Sequence, residues 1–363
     1  MNKKNYCVIM AGGVGARFWP MSRTLRPKQF IDILGTGETL IQQTFRRFSS
    51  ICPPENIFVV TNDLYRDLVI EQLPNIVPDH VLCEPVRRNT APCIAYACHK
   101  IAKLDPEASI VVAPSDHIIL KEEVFNNTIN TALQAAGEND WLLTLGIMPS
   151  RPDTGYGYIQ FDDTNSFPPD GLVRKVKTFT EKPHYDLAVS FLQSGDFLWN
   201  SGIFIWSLKS ILKAFDSHLS DVNSIFKDGD KLYFTKGEND FIKRAYTICS
   251  NISIDYGVME KADNVYVIPA DLGWSDLGTW GSLYEARTKN ANENAIVGNN
   301  VLTFDTNNCI ITLPGNKVAL IQGLKDFIVV DENDVLLICE RNEEQRIREF
   351  VETVREHLGE KFV

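Results

Sequence analysis

The chain has no apolar run near the ~18 residues that would span a bilayer. Its first apolar stretch, Tyr6 to Ala11, gives way to glycines and is shorter than the roughly 7–15 residues of a signal-peptide core. It reads as a first β-strand. Cysteines are present but unpaired in pattern: eight are scattered at 7, 52, 83, 93, 98, 249, 309 and 339, with no C-x-x-C. Cys83, Cys93, Cys98 and His99 match no zinc spacing, so buried free thiols are the commoner explanation. With no secretion signal, reduced thiols in the cytoplasm are expected. Positive charge is also scarce. Lys and Arg number 36 against 47 Asp and Glu, a net charge of −11. No overall field is available to hold nucleic acid, and any bound anion must be met by a local cluster of cations.

What is there is ordinary for a globular protein. The 363 residues are 44% hydrophobic and 23% charged, which excludes a disordered or fibrous chain and allows about two or three domains. Short apolar runs (Tyr6–Ala11, Ile57–Thr61, His80–Cys83, Ser109–Ala113, Trp141–Leu145) alternate with helical patterns (Thr39–Ser49, Asp63–Leu73, Thr90–Leu104, Glu122–Ala136). Near-continuous hydrophobic strands between helices predict an α/β fold with a mostly parallel sheet covered on both faces. Ligands of such sheets bind beyond the carboxyl ends of the strands. The stretch from Arg151 to about Thr288 is less regular. Near Asn290 the composition shifts to Asn- and Gly-rich turns, and short strands follow at 301–304, 309–313, 318–322, 327–330 and 335–339. These predict a small all-β module, a few coils of a β-helix. A closing helix from Glu343 to Leu358 carries Ile347, Phe350, Val351, Val354 and Leu358 on one stripe. The expected domains are therefore 1–288 and 289–363.

The strongest chemical signal is AGGVGARFWPMSRTLRPKQF, from Ala11 to Phe30. A strand runs into Gly12, Gly13 and Gly15, whose backbone can approach an anion closely. Arg17, Arg23, Arg26 and Lys28 then follow with no acidic residue among them. A polyphosphate would account for this local charge. The loop is neither a Walker A loop nor a dinucleotide fingerprint, since Phe18 occupies the third glycine position. Asp116, in VVAPSDH, follows a buried strand, and Asp276 lies in DLGWSDLGTW. Singly each reads as a cap or turn residue; beside a polyphosphate loop the two suit Mg²⁺, which prefers oxygen ligands. EPVRRNTAP, from Glu84 to Pro92, leads a strand into a helix with Asn89 or Thr90 as cap. Gly155–Tyr158, Glu181-Lys182-Pro183 and Asn200-Ser201-Gly202 place polar groups beside turns or strand ends, where amides and carboxylates suit sugar hydroxyls.

At these residues the sequence resembles the sugar-nucleotide pyrophosphorylases, and the PKQF and WNSGIF forms resemble the branch that uses mannose 1-phosphate and GTP. The matching stretches also include GIMPSRPDTGYGYI, FTEKP and SIDYGVMEK, so the resemblance covers essentially the whole chain. It implies a Rossmann-like nucleotidyltransferase domain, a left-handed β-helix that often supports a homodimer, and guanylyl transfer with Mg²⁺ as cofactor. By position, Gly12, Gly13, Gly15, Arg17 and Lys28 would hold the triphosphate, with Arg17 and Lys28 catalytic. Glu84, Asn89, Thr90 and Ser115 would lie at the nucleotide, Asp116 and Asp276 at the metal, and Gly146, Glu181, Lys182 and Asn200 at the sugar phosphate. Ala16 stands where many relatives have Thr or Ser. Some longer members carry a fused phosphomannose isomerase, whose activity is not expected here.

Overall fold

The computed structural model describes residues 2–13, 15–167 and 171–363. The chain forms two compact units, each built from separated segments. The first comprises Met1–Gly12, Thr44–Ser115 and Ile119–Trp274; the second comprises Gly13–Gln43, Asp116–Ile118 and Ser275–Val363. Compaction thus divides the chain differently from the sequential boundary at 288/289. The glycine-rich loop and the residues after β4 join the C-terminal part.

The first unit is built on one nine-stranded sheet of β1 (Asn5–Ala11), β2 (Ile57–Asn62), β3 (Val81–Glu84), β4 (Ser109–Pro114), β6 (Leu142–Ile147), β7 (Gly157–Phe167), β8 (Val173–Glu181), β9 (Phe197–Ser207) and β10 (Val265–Pro269). The two-residue strands β5 (Ile118–Ile119) and β11 (Trp274–Ser275) fall where the chain changes unit. The sheet order is β3-β2-β1-β4-β9-β6-β10-β8-β7. The pairs among β1 to β4 are parallel, as expected for strands buried on both faces. β9 inserts antiparallel between β4 and β6, so β6 regains the direction of β4. β10 runs parallel to β6 and antiparallel to β8. The sheet is therefore mixed, with its parallel half at the N-terminal end of the chain.

Helices cover this sheet: α1 (Leu40–Phe48, passing through the change of unit), α2 (Arg66–Gln72), α3 (Thr90–Ala102), α4 (Glu122–Glu138), α5 (Tyr185–Ser194), α6 (Leu208–His218), α7 (Ser220–Lys227) and α8 (Glu238–Ile248). α3 is buried from Ala91 to Ile101, including His99 and Lys100, which meet Asn223 and Glu238. Its core neighbours include Phe58, Trp206, Phe215, Phe226 and Tyr246. α6 and α7 lie in the stretch read as irregular.

The second unit packs Phe18, Ile33, Leu40, Trp280, Ile310, Ile328 and Ile347 into one core. After α9 (Trp280–Ala286), β12 (Ala295–Val297), β14 (Ile310–Thr312) and β16 (Phe327–Glu332) stack in parallel register. β13 (Val301–Phe304) and β15 (Ala319–Gln322) form a second parallel stack. Two parallel stacks alternating along the chain are successive coils of a β-helix, and the predicted module is present. Asp305, Asn308 and Asp326 take the positive φ that its corners require. β17 (Val335–Glu340) turns back antiparallel on β16. α10 (Ile347–Leu358) closes the chain; it buries Ile347 and Val351, but Leu358 is exposed and leaves the predicted stripe.

Candidate active site

Within the second unit the glycine loop, Asp116 and the 275–278 turn converge. Gly15 sits at φ +68°, and a Cβ there would lie 2.7 Å from Lys28 Cβ, so only glycine lets the loop close over that lysine. The Gln29 amide donates to the Gly13 carbonyl at 2.9 Å. Lys28 itself is buried, with only 4% exposure. Its ammonium donates to Asp116 Oδ2 at 2.9 Å, to the Asp276 carbonyl at 2.9 Å and to the Leu277 carbonyl at 3.0 Å. An ammonium has three donors, and all three are satisfied inside the protein. Burial alone would raise the Asp116 pKa; Lys28, and then His117, outweigh it and hold the carboxyl below its usual range. The Asp276 carboxylate accepts from the Gly278 N–H at 2.9 Å. A Cβ on Gly278 would lie 2.7 Å from Asp276 Oδ2, so a side chain there would displace this carboxylate. Arg17, on the short turn Ala16–Phe18, donates to the Gly278 carbonyl at 3.3 Å.

Among the described residues no three His, Cys, Asp or Glu side chains cluster for a metal. The donor set nevertheless fits Mg²⁺. That ion needs few protein ligands because it keeps waters and shares phosphate oxygens. Here the Lys28 ammonium already marks a point where a carboxylate and two carbonyl oxygens converge on a cation.

Within the first unit the site residues line one end of the sheet. The carboxyl ends of β1, β3, β4 and β6 share that edge, and β9 starts from it. Glu84, ending β3, is 6% exposed. Its Oε1 accepts from the Tyr246 hydroxyl at 2.9 Å, and its Oε2 is 3.7 Å from where a Cβ on Gly12 would stand. Burial raises its pKa to about 7, against the lowering effect of Tyr246 and Arg87. Asn89 takes φ +68° and caps α3 through Thr90 N. The Thr90 hydroxyl accepts from Ile254 N at 2.9 Å. Ser115 is buried, and its N–H donates to the Met10 carbonyl at 3.0 Å.

Register assembles the remaining set. Gly146 on β6 faces Asn200 on β9, and Gly157 on β7 faces Glu181 on β8. A Cβ on Gly157 would be 2.3 Å from Glu181 Oε2; the bare glycine is what gives this carboxylate room. Gly146 has a packing reason of its own, because a Cβ there would be 2.5 Å from Leu198. Lys182, at φ +49°, pairs with Glu181. Asn200 lies inside β9 rather than at a turn.

Two charged residues of these sets carried no assignment in the sequence. Asp255 accepts from the Asn200 amide at 2.9 Å; its SIDYGVMEK stretch was visible, but no motif gave it a role. Arg348, on α10, is held below its usual pKa first by the neighbouring Arg17 charge and then by burial. An amphipathic pattern does not reveal that neighbour.

Comparisons with known proteins match both parts of the fold. Residues 6–293 match the nucleotidyl transferase family model, and residues 298–354 match the MannoseP isomerase/GMP-like beta-helix domain. The mannose-1-phosphate guanylyltransferase of Salmonella montevideo is 36% identical over 96% of this chain and 73% of its own length. The protein of that name from Escherichia coli (strain K12) is 34% identical over 97% and 74%. A crystal structure from Thermus thermophilus, described as a mannose-1-phosphate geranyltransferase, superposes with a TM-score of 0.86 at 29% identity, covering 97% of this chain and 99% of that one. Both family models and relatives above 30% identity thus match along nearly the whole length, and the chain belongs to the mannose-1-phosphate guanylyltransferase family of nucleotidyltransferases.

Proposed function

We propose that the chain transfers guanylyl from GTP to mannose 1-phosphate, giving GDP-mannose and pyrophosphate. The observation that carries this reading is identity of about one third to mannose-1-phosphate guanylyltransferases across 96–97% of the chain. The sugar phosphate needs no dedicated base, because the second pKa of a phosphate monoester is about 6 and the nucleophile is already anionic near neutrality. Attack on the α-phosphorus is in line, with pyrophosphate leaving. The work of the protein is to hold two mutually repelling anions in register and to neutralise the leaving group. Gly12, Gly13 and Gly15 present backbone to the triphosphate, and Arg17 supplies fixed positive charge. Asp116 and Asp276 would hold Mg²⁺, which when bound neutralises charge on phosphate oxygens. Lys182 holds the sugar phosphate, with Gly146, Glu181 and Asn200 at the sugar. Asn89, Thr90 and Ser115 build the nucleotide loops.

Lys28 serves by holding Asp116 and the 276–277 carbonyls in place, and its ammonium would be free to meet phosphate were those oxygens engaged by a metal. Glu84 reads the base. Guanine offers an N–H beside an amino group, two donors that suit one carboxylate, and adenine does not. The enzyme works as a cytoplasmic homodimer.

Pyrophosphate release is the test, crossing GTP, ATP, UTP and dTTP with mannose 1-phosphate and glucose 1-phosphate in Mg²⁺. Release that peaks with GTP and mannose 1-phosphate supports the reading. A peak with another pair keeps the chemistry and overturns the specificity. No release from any pair by protein that still binds GTP would point to a nucleotide sensor.

A further inference from the structure

The closing helix is stitched to the first turn after the glycine loop. Trp19 Nε1 donates to the Phe362 carbonyl at 2.7 Å. Phe18 shares a core with Ile347, Val351 and Val363, and α10 packs against the Ala16–Phe18 turn. Anchoring Phe18 and Ile347 in one core sets their chain neighbours, Arg17 and Arg348, beside each other at its edge. The two charges feel each other: Arg17 is the largest influence on Arg348 and lowers its pKa.

This proximity is costly. Like charges repel, and Arg348 lies in the first turn of α10, where the helix dipole also disfavours a cation. The acids one helical turn away are committed elsewhere. Glu344 accepts from the Gly281 N–H at 2.7 Å, and Glu352 pairs with Arg355. Glu343 and Glu349 both pair with Arg346. Arg348 is exposed and, among the described residues, forms no ion pair. Arg17 Nε is buried without a partner. Such a pair is relieved by an anion that lies against both guanidiniums, each of which offers a fork of donors to phosphate oxygens. Every residue placed at the base or the sugar belongs to the first unit, whereas Arg17 and Arg348 belong to the second, with Gly13 and Gly15. The anion they meet is therefore the part of GTP that carries neither base nor sugar.

We propose that Arg348 is a phosphate-binding residue: with Arg17 it clamps the two outer phosphates of GTP, which depart as pyrophosphate. The inference rests on the proposed function and adds to it a residue outside the glycine-loop motif. On this reading α10 closes the active site as well as the fold. When the bond between the α-phosphorus and the bridging oxygen breaks, its electron pair goes to pyrophosphate, and the paired guanidiniums neutralise the charge that develops there.

The experiment uses the full chain with Arg348→Gln and Arg348→Lys, in Mg²⁺. Calorimetry measures binding of GTP, GMP and inorganic pyrophosphate, and kinetics are run in both directions. Arg348→Gln should raise the Kd for GTP and for pyrophosphate about tenfold or more, the worth of one charge-assisted contact, and leave the Kd for GMP unchanged. The pyrophosphate KM of the reverse reaction should rise by the same factor, with the mannose 1-phosphate KM unchanged. Arg348→Lys should recover part of the loss. Without ligand the Gln variant should melt at or above wild type, because a repulsion is removed. A GTP-to-GMP ratio of Kd equal to that of wild type would overturn the assignment. Equal losses toward GTP and GMP, with a lowered melting temperature, would show a structural role and overturn it too. Wild-type protein that binds GTP no more tightly than GMP would instead sink the triphosphate reading of the glycine loop, and this one with it.

Discussion

Replacing Glu84 by Gln should stabilise this protein at alkaline pH while damaging its use of GTP. Glu84 is almost completely buried, and its single hydrogen-bonding hydroxyl, Tyr246, does not offset the cost of placing a charge there. Moving a carboxyl from 4.5 to about 7 corresponds to about 3 kcal/mol, at 1.36 kcal/mol per pH unit. The folded state binds the proton more tightly than the unfolded state. No penalty therefore exists below about pH 4.5; stability falls as pH rises from there to about 7, and the full cost applies above. Gln cannot ionise, and its Oε1 still accepts from Tyr246. At pH 8 the variant should gain about 3 kcal/mol. With an unfolding entropy of ~2.1 cal/mol/K per residue, this raises the melting temperature by about 4 °C. At pH 4.5 the two proteins should melt together. The same substitution removes a charged acceptor from the proposed base site, and the GTP KM should rise ten- to a hundredfold, about 1.5–3 kcal/mol. Differential scanning calorimetry at pH 4.5 and 8 decides the matter. A variant that melts at or below wild type at pH 8 would refute the electrostatic reasoning, whatever its kinetics.

Gly15→Ala should cost about 1–3 kcal/mol in urea denaturation, because it forces alanine to positive φ and sets its methyl against Lys28; a neutral result would mean the loop shifts freely. Lys28→Met strands the Asp116 carboxylate and two carbonyls, and should lower stability by about 3 kcal/mol or more. Without the competing ammonium, the same variant should bind Mn²⁺ more tightly than wild type in the absence of nucleotide, read by electron paramagnetic resonance; equal or weaker binding would deny that lysine and metal share a position. Lys182→Ala should raise the KM for the sugar phosphate at least tenfold and leave that for GTP unchanged. A matching rise in both would remove Lys182 from the sugar side.

The parts of the fold legible in the sequence were those fixed by short-range spacing. β1 to β4 are continuous apolar runs, and burial on both faces follows from that pattern alone. The β-helix showed itself through Asn- and Asp-bearing corners at regular intervals. β9 was only half legible: Asn200-Ser201-Gly202 has turn composition, yet pairing with β4, β6 and β7 holds the strand extended from Phe197 to Ser207. Tertiary pairing overrode local propensity there. Residues 13–43 join the second unit because Phe18, Ile31, Ile33 and Leu40 share a core with Trp280 and the β-helix, a relation no local window contains. Asp255 escaped for the same reason, since its partner Asn200 lies far along the chain and the π-helical turn it opens has no reliable sequence signature.

The basic loop shows how one motif can hold side chains with quite different partners. Its four cations read as one cluster awaiting polyphosphate, but the structure gives them different partners. Arg23 pairs with Asp334 at 2.8 Å and donates to the Glu332 carbonyl at 3.0 Å. Arg26 also lies within electrostatic reach of Glu332. Both tie the loop to the β16–β17 turn of the same unit. Lys28 is saturated by Asp116 and two carbonyls. Arg17 differs from all three: among the described residues its hydrogen bond goes to a neutral carbonyl, its Nε is buried without a partner, and the nearby Arg348 repels it. Two guanidiniums set side by side cost energy until an anion lies against them. The local charge of +4 thus reduces to a small region around Arg17, and the other loop cations hold that region in shape. For a chain with a net charge of −11, the proposed polyphosphate binding therefore turns on Arg17, the one of these four loop cations whose positive charge is left uncompensated, rather than on the number of basic residues in the motif.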